Sequence, residues 1–170
     1  MAKTYNTVPD KAAGDQFTEA MWDDYIKTNV NNLRVPPMCI VDRTAALNQT
    51  TSGAYEAFTF DTETLDTDGM WASSPNPTRV TISTAGVYAV NFIVQISATT
   101  GVVATAIKKN GAFEAFLQSK AAHAASSYMT GTCYLSLAAT DYVEGFVYQA
   151  TGGSVAMDAT MAVIWQGQAS

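Results

Sequence analysis

Charge is what this sequence has least of: 14% of its 170 residues are charged against 48% that are hydrophobic, where soluble domains carry about 25% charged residues. That balance excludes a disordered acidic tail and leaves surface for something other than water to cover. Basic residues are scarcer still, nine Lys and Arg against fifteen Asp and Glu for a net charge of -6. This is the wrong sign for counterion release on nucleic acid or for binding an anionic bilayer, so neither is an expected partner. No apolar run approaches the roughly 20 residues that span a bilayer. No N-terminal stretch joins a basic start, an apolar run and a small-residue cleavage site, so export by a signal peptide is not expected.

Titratable chemistry is equally thin. Histidine occurs once, as His123, within an Ala- and Ser-rich stretch from Ala121 to Ser127 that reads as a surface loop without acidic neighbours. A Ser-His-Asp relay would have to be built around that one residue, and the sequence has no nucleophile elbow, phosphate-binding loop or H-E-x-x-H pair. The expectation is a protein that is not an enzyme and takes no cofactor. Cys39 and Cys133 lie far apart without a C-x-x-C partner and read as buried free thiols. Asn48-Gln49-Thr50 reads as a polar turn rather than a glycosylation acceptor.

What is present is one domain's length of chain with a change of rhythm near residue 36. Before it, Phe17, Met21 and Tyr25 follow a spacing of four while Trp22, Ile26, Val30 and Leu33 trace an adjacent row, the broad apolar stripe of an amphipathic helix over about residues 18–33. Thr18 is placed to cap it, and Val35-Pro36-Pro37 ends it because a residue before proline is biased out of the α region. An extended arm from Met1 to Lys11 precedes it. From Met38 the period becomes two. Met38–Arg43, Tyr55–Phe60, Arg79–Ile82, Gly86–Ser97, Val102–Lys109, Ala112–Gln118, Ser127–Leu137, Tyr142–Gln149 and Val155–Trp165 read as strands. Asn110-Gly111 is a type I′ hairpin turn between the fifth and sixth of these. About nine strands without a second helix predict an all-β fold, a two-sheet antiparallel jelly-roll sandwich carrying an N-terminal arm and one short α-helix.

Two features bear on function. The stretch from Asp61 to Gly69 holds the densest oxygen ligands, Asp61, Glu63, Asp66 and Asp68, which share part of a calcium loop's spacing. It lacks that loop's terminal Glu and flanking helices, and so reads as a solvated acidic turn with no metal. In Tyr142–Gln149, Val143 and Val147 alternate with Tyr142, Glu144, Phe146 and Tyr148, so both faces of the strand suit burial. The second face can be covered by another part of the domain or by another subunit, and low charge with aromatic enrichment favours the subunit.

The segments Tyr55–Asp61, Asp68-Gly69-Met70-Trp71, Thr78–Ile82, Thr84–Phe92, Lys109-Asn110-Gly111, Leu135–Val143 and Met161–Trp165 resemble, in order and spacing, the trimeric jelly-roll domain shared by complement globular heads and the tumour-necrosis-factor family. The resemblance spans about residues 38 to 167, with Ala85-Gly86-Val87-Tyr88 as its best motif. It implies Tyr88, Val90 and Phe92 as inner-face core, and Tyr142, Phe146 and Tyr148 at a homotrimer's three-fold axis. Gly145 departs from the family, which has a larger apolar residue there. The block Gly14–Leu33 followed by a proline pair is similar to the start of many tailed-bacteriophage virion proteins, in which a short helix precedes such a β domain. Together these resemblances imply residues 1–37 as a particle-anchoring arm and helix acting through Phe17, Met21, Trp22, Tyr25 and Ile26, and residues 38–170 as the jelly roll. The expected function is a structural protein of a bacteriophage virion assembled in the host cytoplasm. It would be a homotrimeric capsid decoration or cement protein bound to the major capsid protein or another virion protein. The alternative is a tail or fibre protein whose trimeric head recognises a host surface.

Overall fold

The computed structural model describes residues 14–49, 53–97, 100–121 and 127–168. The extended arm, His123 and Thr50 of the Asn48-Gln49-Thr50 stretch lie outside the described residues.

The chain is helical from Glu19 to Arg34, in three contiguous stretches: α over Glu19–Met21, π over Trp22–Lys27 and α over Thr28–Arg34. Thr18 caps the start as expected, its hydroxyl accepting the Met21 N–H at 3.3 Å. The π stretch has a local cause. Both the backbone N–H and the hydroxyl of Thr28 donate to the Asp23 carbonyl five residues back, and a threonine hydroxyl that captures a carbonyl of its own helix distorts the ladder. Val35 is extended ahead of Pro36 and ends the helix.

Ten strands follow: β1 (Met38–Gln49), β2 (Tyr55–Ala57), β3 (Thr62–Asp66), β4 (Arg79–Thr81), β5 (Gly86–Ser97), β6 (Val102–Lys109), β7 (Ala112–Ala121), β8 (Ser127–Leu137), β9 (Tyr142–Ala150) and β10 (Val155–Gly167). They form two antiparallel sheets. The first, sheet A, has the order β3-β1-β10-β5-β8, and the second, sheet B, runs β2-β9-β6-β7 with β4 also paired to β9. This is the expected all-β jelly roll. Three details differ from expectation. Thr62–Asp66, read as part of a turn, is an edge strand paired to β1. Asn48 and Gln49, read as a turn, are the end of β1, opposite Ala156 and Val155. Phe58–Phe60 leaves the strand geometry of β2, because these two rings turn inward to pack on Phe92 from the other sheet, with centroids 6.2 and 6.5 Å away.

The core lies between the sheets. Along β5 every second residue, Tyr88, Val90, Phe92, Val94 and Ile96, is buried, and Met157, Met161 and Val163 of β10 continue that layer. Val103, Ile107, Val143 and Val147 oppose them from sheet B. A Cβ on Gly145 would stand 2.7 Å from the Phe92 ring. The missing side chain in β9 is the space that Phe92 fills. The hairpin turn has φ of 49° at Asn110 and 83° at Gly111, the two positive values that a type I′ turn requires.

Candidate functional site

No cleft in the described residues gathers groups for catalysis, and no group of three or more His, Cys, Asp or Glu among them could hold a metal ion. Three of the four acidic residues of the Asp61–Gly69 stretch are taken up by bonds within the chain, and the stretch is an edge strand with a folded turn rather than a solvated loop. Asp66 accepts the backbone N–H groups of Asp68, Met70 and Trp71 at 3.0, 2.6 and 2.9 Å, folding the chain beyond β3 around its carboxylate. Asp68 is buried and accepts the Thr84 hydroxyl at 2.8 Å. Asp61 accepts the N–H groups of Thr44 and Ala45, and these bonds, the Thr44 N–H first, hold its carboxyl down at about 2. Glu63 stays on the exposed edge of β3. Carboxylates that accept backbone bonds inside one chain serve the fold rather than an ion. Cys39 and Cys133 are free thiols, Cys39 buried and Cys133 half-buried, and desolvation raises both above the ordinary thiol range. Neither has the depressed pKa of a reactive cysteine.

Three surfaces are left without cover instead. The first is the helix, none of whose residues is buried. Of the five expected anchoring residues Phe17 and Trp22 stand out in solvent, Trp22 53% exposed, while Met21, Tyr25 and Ile26 are half-buried. Val30 and Leu33 extend the exposed apolar row, Leu33 being 59% exposed. Phe17, just before the Thr18 cap, meets Trp22 of the first turn edge-on with centroids 6.3 Å apart, a hydrophobic staple. No described helix is long and apolar enough to cross a membrane.

The second surface is the outer face of sheet B. Outward alternation on β9 is as expected, and Phe146 and Tyr148 stand over Ala106 and Ala104 of β6. Those two alanines are buried because rings cover them. Tyr55 of β2 lies 5.2 Å from Tyr148 and 5.2 Å from Phe113 of β7, and Phe113 stacks on Phe116 at 5.0 Å. Five rings thus form one patch, and Phe116 is 67% exposed. The Lys108 ammonium sits 4.2 Å from the ring centres of Phe113 and Phe146. Tyr142, expected in the same set, is drawn instead beneath Arg79, whose guanidinium carbon lies 4.1 Å from its ring centre. Arg79 also pairs with the buried Glu144 at 3.3 Å. Tyr55, Phe113 and Phe116 escaped the sequence reading because they join β9 only through sheet pairing across β2 and β6.

The third surface is the outer face of sheet A. Strand registers align Ile40, Ala162, Asn91 and Thr132 in one row and Met38, Ile164, Ala89 and Tyr134 in the next. Tyr134 is 69% exposed. The outward positions of the two central strands, β5 and β10, carry one ionisable residue, Asp158. Its Oδ1 is sealed from solvent with no hydrogen-bond partner. It borders a hollow of about 120 Å³ shared with Arg43, Gln95 and Tyr128.

No family model matches the chain, and no curated protein matches it. Among solved structures it is similar to the globular domain of a zebrafish complement 1qA protein, with a TM-score of 0.59 at 16% identity over 78% of this chain and 99% of that one. It is also similar to murine APRIL, with a TM-score of 0.52 at 10% identity over 74% of this chain and 97% of that one. The structural likeness establishes the jelly-roll architecture expected from the sequence.

Proposed function

We propose that the protein is a non-enzymatic structural component of a bacteriophage virion, a homotrimer that decorates or cements the capsid and is held to the particle by its N-terminal helix. The observation that carries this reading is the helix itself. It is amphipathic and capped, ends rigidly at Pro36 and Pro37, and leaves Phe17, Trp22, Val30 and Leu33 in water. An apolar stripe that no described residue of its own subunit buries is a binding element. Three copies of it on one trimer multiply weak contacts into lasting attachment.

The trimer is supported by the two uncovered sheet faces, and their charge decides between them. A closed three-fold ring brings one patch of each subunit to a common axis, so two opposite faces of one sandwich cannot both lie there. The face of sheet B would carry Lys108, Arg79 and Glu144 to the axis in triplicate, with desolvation and like-charge repulsion opposing assembly. The central strands of sheet A turn Val87, Ala89, Ile93, Ala162 and Ile164 outward among uncharged polar residues with Asp158 as their one charge, and Asp42 and Arg43 lie to the side on β1. We therefore place the axis on sheet A and leave Tyr142, Phe146 and Tyr148 on the periphery.

Light scattering on the purified chain tests the assembly. The expected mass is about three times that of one chain, Ile93→Glu should give monomers, and Phe146→Asp should remain trimeric. The reverse pattern would return the axis to β9. Mass spectrometry and a cryo-electron map of purified particles test the location. Copies spread over the shell support decoration, a few at the tail support the fibre alternative, and absence from particles overturns the virion reading.

A further inference from the structure

We infer that the aromatic patch on sheet B is the docking site for the N-terminal helix of another copy, so that neighbouring trimers are knitted to one another. This rests on the reading of the helix as the attachment element and names one surface it attaches to. Both halves of the contact are uncovered in the subunit, the ring patch centred on Phe113, Phe116, Phe146 and Tyr148, and the helical row of Trp22 and Leu33. An amphipathic helix laid across an apolar sheet face is a recurring mode of recognition. Its dimensions suit the patch: the helix is about 24 Å long, and four strands at about 4.8 Å spacing make a face about 15 Å across.

The helix cannot lie along its own patch from end to end, because its Leu33 end is held at sheet A. The Pro37 carbonyl accepts the Trp165 N–H at 3.0 Å and the Pro36 carbonyl accepts the Thr67 hydroxyl at 2.7 Å, so the chain is clamped at the end of sheet A directly after the helix. Val35 is the one unclamped link, worth at most about 3.6 Å of reach, and stacked sheets lie about 10 Å apart before the far side of sheet B is reached. Charge matches as well. From Asp15 to Arg34 the segment carries four acidic and two basic residues, whereas the Lys108 ammonium stands in the patch over two rings. A contact of unlike surfaces that does not close on itself propagates from one trimer to the next.

Sedimentation of the full-length chain at rising concentration tests this. The wild type should associate beyond its basic oligomer, and Trp22→Glu and Phe116→Glu should each abolish that association while leaving the melting temperature unchanged. An equimolar mixture of the two variants should regain it in part, since one supplies intact helices and the other intact patches. Lys108→Glu should weaken association about tenfold, and Glu19→Lys should restore part of that loss. Absence of association in the wild type, or association indifferent to Phe116→Glu, or no recovery on mixing, would overturn the inference. A basic unit that proves monomeric while these variant effects hold would remove the trimer and leave the helix docking intact.

Discussion

At the scale of single residues the jelly roll depends on a few positions where a side chain is missing or a charge is held. Gly145 is the clearest, because the Phe92 ring that occupies its Cβ space is itself held between Phe58 and Phe60. Gly145→Ala should cost about 1–3 kcal/mol of stability, a fall of roughly 2–10 °C in melting temperature by calorimetry. Phe92→Leu in that background should be less damaging than the two single losses combined. Asp141 carries a held charge. The Asn110 side-chain amide, then the Ala138 N–H and Lys109, lower its carboxyl from 3.8 to about 2. A depressed carboxyl stabilises the fold fully above its unfolded value and loses that contribution as pH falls through the folded one. Asp141→Asn should therefore be less stable than wild type at pH 7, and the two denaturation curves should converge as pH drops from about 4 to about 2. A gap that persists at pH 2 would mean that Asp141 acts through shape rather than charge.

At the scale of elements, hairpin β6–β7 shows how local chemistry and tertiary contact share one residue. Asn110 takes a positive φ that its neighbour Gly111 extends. Its side chain also donates to Asp141 at 2.7 Å and accepts the Tyr142 N–H at 3.0 Å, tying the hairpin to the start of β9. Asn110→Ala should lose both bonds and strain the turn, destabilising by about 1–3 kcal/mol, whereas Asn110→Gly should recover the turn but not the bonds. Equal losses for the two variants in chemical denaturation would show that the backbone angle matters little. The helix follows the same logic. Its stripe, cap and proline stop are written locally, but the π stretch over Trp22–Lys27 comes from one threonine hydroxyl that periodicity does not register.

At the scale of the whole molecule the distribution of uncovered apolar surface matters most. The sandwich presents on one side a face whose central strands carry a single charge, an aromatic patch on the other and an undocked helix at one end, more than a monomer needs to leave in water. The acidic stretch that could have suggested a metal-dependent fold is occupied by backbone donors. Chelator should therefore leave the melting temperature unchanged, and added calcium should not raise it. A fall on chelation reversed by calcium would show an ion beside Glu63 where Asp61, Asp66 and Asp68 now serve the chain.

The amino-acid sequence by itself determined the helix with its cap and stop, the limits of strands such as Gly86–Ser97 and Val102–Lys109 to the residue, the I′ turn and the jelly-roll class, because period, capping and turn chemistry are short-range properties. It also determined that β9 turns an aromatic face outward. Only the tertiary structure decided the rest. Edge strand Thr62–Asp66 exists because β1 pairs with it, not because its residues alternate. Asp66 and Asp68 fold a turn because donors from Met70, Trp71 and Thr84 converge on them. The five-ring patch forms because sheet pairing carries Tyr55, Phe113 and Phe116 to Phe146 and Tyr148 from positions 30 or more residues away. Contacts between residues so distant along the chain leave no period in the sequence; they arise when hydrogen-bonded strands bring separate alternations into register.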